Sequence, residues 1–443
     1  MGKSYTSVST GIITGRHSRW WQVVFSVIGM SMITNLQYGW TLFVLPIHDK
    51  FGWSRAEIQV AFTIFVLLET WLLPFEGWII DKIGPKRVSL IGGILVGLAW
   101  YINSIAASLA MLYFGAVVGG IGAGVVYATC IGNVLKWFPD RRGLAVGLTL
   151  AGFGAGSALT VVPIARMIES SGYQSAFFIF GLIQGFVIIV LSFFFVAPPL
   201  DFVCKVKGKL ASSRRQFKPA EVLTQPVFWL LFMISTFVFV GGLIAVAQLG
   251  PIARDYRIDK IPVTLLGLTL PALTFALALD RIMNGICRPF FGWVSDKIGR
   301  ELTMFIAFMF EGLGILALLQ FAYNPILFVL LTAGVFFAWG EITTLVPATA
   351  IDAFGSQYAT TISGMLYISK GVAVLVVPLA SILVQQTGTW KWVFVIASAL
   401  NIIAALTAMF ILRPLRKRMP EMCAGAGNSE NDQNVLAQDS LKE

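Results

Sequence analysis

Asp280-Arg281-Ile282-Met283-Asn284-Gly285-Ile286-Cys287-Arg288-Pro289 runs straight into Phe290-Phe291-Gly292-Trp293-Val294-Ser295-Asp296-Lys297-Ile298-Gly299-Arg300. The first part puts charge into a stretch that otherwise reads as a membrane helix. The second repeats Gly77-Trp78-Ile79-Ile80-Asp81-Lys82-Ile83-Gly84 at a displacement of 215 positions, close to half the chain. A motif that recurs at one long offset marks an internal repeat. The first part therefore points to a site, and the second to the architecture around it.

Composition says what surrounds both. Of 443 residues, 57% are hydrophobic and only 12% charged, against about 25% charged in a soluble domain. Apolar runs of about 20 residues recur from Trp20 to Leu412, each long enough to cross ~30 Å of hydrocarbon. This is the pattern of an all-α polytopic membrane protein. The net charge of +10 does not point to nucleic acid. Most Lys and Arg fall in segments that the spans place inside the cell, which is the positive-inside pattern. Four cysteines without a C-x-x-C imply neither a disulfide framework nor a metal cluster. The residues before Trp20 lack the apolar core of a signal peptide.

The runs predict twelve transmembrane helices. The first six are 20–46, 54–80, 88–107, 109–136, 143–168 and 172–197. The second six are 227–253, 263–294, 302–322, 325–351, 359–386 and 390–412. Residues 1–19 form a cytoplasmic tail, 20–197 one six-helix half, 198–226 a polar, basic cytoplasmic linker and 227–412 the other half. Residues 413–443 form a cytoplasmic tail whose composition predicts disorder. Both termini are expected inside.

The repeated motif falls in the cytoplasmic loop after the second span of each half. Gly77-x-x-x-Asp81-Lys82-x-Gly84-Pro85-Lys86-Arg87, with its second copy, resembles the signature loop of the major facilitator superfamily. The resemblance implies two pseudo-symmetric six-helix halves, with the substrate site between them near the membrane midplane. It makes Gly77, Asp81, Lys82, Gly84, Arg87, Gly292, Asp296, Lys297, Gly299 and Arg300 candidate gating residues. The bland alternative is a tight charged turn that only sets topology. Glycines crowd 115–124 and 147–156; within apolar helices they serve close packing. No Gly-Pro pair follows them as in drug–proton antiporters, which disfavours drug export.

A charge at the bilayer centre costs ~2.5–3.5 kcal/mol on insertion scales, yet Arg281, Arg288 and Lys370 lie within spans. Asp280, Asn284 and Arg288 follow i, i+4, i+8 and share a helical face. Arg288 offers a planar fork for a carboxylate and Lys370 a compact second charge. The alternative is buried ion pairing, Arg288 with Asp280 or Lys370 with Glu341; Asp280 also stands beside Arg281. Pro289 is expected to break the helix next to Arg288. Thr34, Gln37, Tyr38 and Thr41 form a polar stripe in the first span, and Tyr127, Phe153 and Trp339 are candidate walls.

Gln37-Tyr38-Gly39-Trp40-Thr41-Leu42, Tyr127, Trp137-Phe138-Pro139-Asp140-Arg141-Arg142-Gly143, Asn284-Gly285-x-Cys287-Arg288-Pro289, Trp339-Gly340 and Lys370 resemble the oxalate/formate antiporter family, itself related to monocarboxylate transporters. The resemblance covers about 20–412. It implies that Arg288 and Lys370 bind the carboxylates, and that Gln37, Tyr38, Tyr127, Asn284, Trp339 and Tyr367 line an aromatic cage. Three departures bear on specificity. Phe153 and Thr343 stand where tyrosine is usual, and Tyr367 where tryptophan is. Glu69, Glu76 and Glu341 are additional acids in or near the spans. Two cations match a dicarboxylate. An ionised Glu341 nearby would leave one positive charge, suited to a monocarboxylate; a protonated one would suit proton coupling. Glu341, Glu69 and Asp280 are the candidate coupling acids.

The expected function is thus secondary transport of small mono- or dicarboxylate anions across the cell inner membrane by alternating access, with anion exchange as the leading mode. The alternatives are proton-coupled monocarboxylate symport and, from another class, an anion sensor without flux. An enzyme would need clustered His or paired acids at a membrane face; only His17 and His48 exist. The expected partners are small carboxylates and the lipid bilayer, with no nucleic acid, no cofactor and no metal, for a chain expected to be monomeric.

Overall fold

The computed structural model describes residues 18–138, 142–198, 216–265, 267–355 and 358–418. Almost all of them are helical. The elements before residue 198 are α1 (Ser18–Tyr38), α2 (Thr41–Phe51), α3 (Arg55–Trp71), α4 (Leu73–Ile83), α5 (Pro85–Ile105), α6 (Leu109–Trp137), α7 (Arg142–Ala155) and α8 (Ala158–Ser192). After residue 216 come α9 (Pro219–Leu223), α10 (Pro226–Asp255), the strands β1 (Pro262–Leu265) and β2 (Leu268–Pro271), and α11 (Ala272–Ile298). They are followed by α12 (Arg300–Phe321), α13 (Pro325–Trp339), α14 (Ile342–Phe354), α15 (Ala359–Val374), α16 (Val376–Thr387) and α17 (Lys391–Thr407).

Local chemistry sets the helix ends. Ser54 and Glu57 form a reciprocal capping box at the start of α3, which satisfies amides that have no intrahelical acceptor. Ser108 and Asn324 cap α6 and α13 by accepting backbone amides of the first turn. Gly172, at φ 81°, divides α8 into two helices. Eight helical stretches among the described residues are long and apolar enough to span a bilayer, or nine if the pair Arg55–Trp71 and Leu73–Ile80, bent by 48°, counts as one span. Leu159, Phe75, Phe410 and Leu182 project outward with 64–86% of their surface exposed, as lipid-facing side chains must.

Two sequence expectations are corrected here. The span expected from residue 263 begins at Ala272 instead, because 262–271 form an antiparallel hairpin that pairs Pro262 with Pro271. Leu265-Leu266-Gly267-Leu268 looked like helix, yet Gly267 sits at φ 79°, which turns the chain. The expected break at Pro289 does not occur, and α11 runs through it. A proline removes one amide donor, and a helix anchored on both sides keeps its remaining turns.

Small residues let the helices approach closely. A Cβ on Gly185 would stand 2.8 Å from the Cα of Gly97, so α8 and α5 touch backbone to backbone. A Cβ on Gly285 would lie 2.6 Å from that of Ala155. This brings α11 against α7, while α15 and α16 pack on α3. These contacts join the helices before residue 198 to those after 216.

The two motif copies share one backbone geometry. Gly84 has φ 91° and ψ 154°, and Gly299 has φ 93° and ψ 154°. Each ends one helix and starts the next, its amide bonding back to Ile80 or Ser295. Lys82 lies over the Trp78 ring at 3.8 Å and Lys297 over Trp293 at 3.9 Å. The Asp81 side chain lies outside the described residues, and Arg87 is exposed. The second copy is tied down further: Arg300 pairs with Asp296 at 2.8 Å and with Asp352 at 3.3 Å, and Arg416 with Glu301. Gly77 and Gly292 are ordinary helical positions. The region occupied by Gly84 and Gly299 is open to glycine alone and costs about 1–3 kcal/mol for other residues. Gly84→Ala and Gly299→Ala should therefore lower the thermal unfolding midpoint in detergent. Gly77→Ala, with no atom of another helix among the described residues within 4 Å of its Cβ position, should leave it unchanged or raise it.

Candidate functional site

Four helices bring the predicted cations together. α11 carries Arg288, buried to 3% exposure, with Asn284 one turn earlier. α15 carries Lys370, equally buried. Gln37 comes from the end of α1 and Glu69 from the last turn of α3.

The two cations are held in opposite ways. The Lys370 ammonium donates to Gln37 Oε1 at 2.9 Å, to Glu69 Oε2 at 2.9 Å and to the Tyr367 hydroxyl at 3.1 Å. An ammonium has three donors, so protein oxygens fill all of them. Arg288 donates through Nη2 to Asn284 Oδ1 at 3.3 Å. Its Nε and Nη1 have no hydrogen-bond partner among the described residues. The guanidinium thus keeps donors for an acceptor that enters from the cavity.

That cavity lies between the cations, lined by Arg288, Lys370, Tyr38, Tyr127, Phe153, Trp339 and Tyr367, together with Leu150, Phe239, Gly340, Ile342 and Thr343. Its walls are rings in mutual contact. Tyr127 stacks on Tyr367 with centroids 5.3 Å apart and meets Phe153 edge-on at 5.8 Å. Tyr38 meets Phe153 at 5.3 Å, and Phe239 contacts both Tyr367 and Trp339. Thr34 holds the Phe153 carbonyl at 2.6 Å. The cavity is tight, with room for roughly one water.

Seven of the nine predicted binding residues line the cavity directly. Gln37 and Asn284 stand behind Lys370 and Arg288 as hydrogen-bond partners. Thr41 belongs elsewhere, accepting the Gly250 amide at 2.7 Å between α2 and α10. The partner of Lys370 is Glu69, not the Glu341 that charge counting from sequence had offered. Both oxygens of Glu341 are buried without a hydrogen-bond partner among the described residues, and its electrostatic neighbour is Glu311. Arg288 is not paired with Asp280, which lies beside Arg281 and Thr332 away from the cavity. Arg281 is fully buried, its guanidinium 4.3 Å from the Tyr38 ring and 4.4 Å from that of Phe336. Sequence reasoning missed Leu150, Phe239 and Ile342, which carry no polar signal.

Polar groups also join the two sets of helices on one side of the cavity. Arg55 grips Asp255 through two bonds, at 2.6 and 2.8 Å, and Arg254 meets Asp49 at 2.5 Å. Beneath these pairs Gln59 donates to the Ala247 carbonyl at 2.7 Å and to Gln248 Oε1 at 3.3 Å. On the other side, among the described residues, no atom of another helix lies within 4 Å of the Cβ positions of Gly132, Gly147 and Gly364.

Comparison with known proteins agrees with this geometry. The Major Facilitator Superfamily model matches residues 24–284 and 261–427. The oxalate:formate antiporter of Oxalobacter formigenes is 32% identical over 425 residues, covering 94% of this chain and 97% of that one. A probable sulfoacetate transporter of Cupriavidus necator is 25% identical over 399 residues, 86% of this chain and 90% of its own. Human monocarboxylate transporter 12 is 23% identical over 367 residues, 76% and 69% of the two chains. A family match over nearly the whole chain, apolar helices long enough to span and a cation-bearing cavity where the helix sets meet lead to one assignment. The chain is a multi-pass integral membrane transporter, not an enzyme, and belongs to the major facilitator superfamily and, within it, to the oxalate/formate antiporter family.

Proposed function

We propose that this transporter carries small carboxylate anions across the cell inner membrane by alternating access between two six-helix halves, 20–197 and 227–412. Twelve crossings follow if the helices bent at Gly39-Trp40 and Leu72 each count once, if Gly172 separates two, and if α11 crosses despite its charges. Arg300 and Arg416 meet at Asp352, and Lys82, Lys86, Arg87, Lys297 and Arg413 stand at helix ends that the proposed crossings put on that same side, which supports placing it and both termini in the cytoplasm. The inter-half pairs Arg55–Asp255 and Arg254–Asp49 then close the outer face, and the conformation is directed inward.

The observation that carries the reading is Arg288: a buried guanidinium with two nitrogens unpartnered among the described residues, facing an aromatic cavity between the halves. A planar carboxylate fits that fork bidentately. Its charge also supplies the reason for exchange. An unanswered cation is costly to occlude, whereas a bound anion neutralises it and lets the halves swing. The relatives' names, an oxalate:formate antiporter and a monocarboxylate transporter, support the substrate class.

The test is anion counterflow in proteoliposomes. Arg288→Gln should abolish exchange, and Lys370→Gln should reduce it at least about tenfold, since each removes charge from a desolvated site. Full exchange by both variants removes the site; saturable binding without flux would make the protein a sensor. The gate reading has its own measurement. Arg55→Gln/Arg254→Gln should raise labelling of Ala253→Cys by an impermeant thiol reagent about two- to tenfold, the range for two partly exposed ion pairs. An unchanged rate would remove these pairs from the gate.

A further inference from the structure

The geometry points to Glu69 as the residue that sets the charge class of the substrate, tuning the site to anions with a single negative charge. This inference rests on the anion-carrier reading above and goes beyond it. Glu69 is fully buried, and its Oε2 lies 2.9 Å from the Lys370 ammonium. The pair joins α3 to α15 across 301 positions of sequence, so it spans the interface on which the two helix sets must move. Gln37 and Tyr367 occupy the other two donors of Lys370, but both are neutral. Among the described residues only Glu69 answers its charge.

The consequence is electrostatic. Arg288 and Lys370 supply two positive charges, and Glu69 removes one. One is left, and it belongs to the arginine with free donors. A monoanion on Arg288 brings the site to neutrality while Lys370 stays with Glu69. A dianion must either leave one negative charge unanswered in a low-dielectric cavity or push Glu69 off Lys370, which strands the Glu69 carboxylate in a buried position. Its Oε1 already lacks a partner among the described residues, so no second donor waits to take it. Both routes are costly. Glu69 therefore acts as a fixed anion that takes the place of a second substrate charge.

Oxamate and oxalate test this, because they share size and shape and differ by one negative charge at neutral pH. Calorimetric titration of the purified protein in detergent gives the ratio of their Kd values. The unaltered protein should favour oxamate at least about tenfold, the order should reverse in Glu69→Gln, and Glu69→Asp should keep it. A ratio in Glu69→Gln equal to that of the unaltered protein overturns the assignment, since a merely structural ion pair would change stability and not charge preference. Where Glu69→Gln does not yield folded protein, Lys370→Gln and Glu69→Gln/Lys370→Gln carry the test. The single variant has no net charge and should lose oxamate; the double variant regains one positive charge and should recover it. Equal, weak oxamate binding by both overturns the assignment. Failure of the unaltered protein to bind either anion is a different result: it sinks the anion-site reading itself, and this inference with it.

Discussion

The Lys370 ammonium has three hydrogens, and Gln37, Glu69 and Tyr367 take all of them. The rest of the site depends on this saturation. A lysine fully coordinated by protein is no open receptor; it is a strut between α1, α3 and α15. The strut fixes Tyr367, whose ring stacks on Tyr127, and so sets the wall that faces Arg288. On the proposed reading, receiving an anion falls to the guanidinium, whose only bond among the described residues runs to Asn284 on its own helix. Two cations that look equivalent in sequence are thus held in opposite ways.

This division explains which parts of the site were legible beforehand. Arg288 and Lys370 announce themselves because charge in an apolar helix is rare and costly. Tyr38, Tyr127, Phe153 and Trp339 were legible by their place in motifs. Phe239, Leu150 and Ile342 were not, since an apolar residue in an apolar helix carries no mark of the side it faces. The pairing of Lys370 was also unreadable. Three acids in or near the spans were candidates, and the helix order in sequence does not say that α15 lies on α3. Charge counting named Glu341, which packs into the interior of its own helix set instead.

The fold divides in a similar way. The repeat at a displacement of 215 was visible as text, and its physical content is a glycine held at φ near 90° where one helix hands over to the next. The hairpin at 262–271 was lost because leucine and threonine suit a strand and a span alike, and periodicity cannot separate short apolar runs. Its real signals were Gly267 and the flanking prolines, which mark turns and edges. Pro289 misled in the opposite direction. A proline suggests a break, yet α11 is held on both sides of it, by α7 near Gly285 and by the Arg300 network at its end.

The same constraint ties site to gate. On one side of the cavity the two helix sets are joined by side chains that pair with each other: Arg55 with Asp255, Arg254 with Asp49, Gln59 with Gln248. The two ion pairs can be exchanged for water one at a time, at small cost, because they are partly exposed, whereas Gln59 and Gln248 are buried. The Glu69–Lys370 bond also joins the halves, but it lies in the dry interior, where separating its partners strands two charges. In the proposed alternating-access cycle, motion between the two helix sets would pivot about this pair rather than break it. A pivot at Lys370 would leave α11 and Arg288 as the side of the cavity that is free to swing, so that an anion held there, as proposed, would travel with the moving wall while its counterweight Glu69 stays on the fixed one.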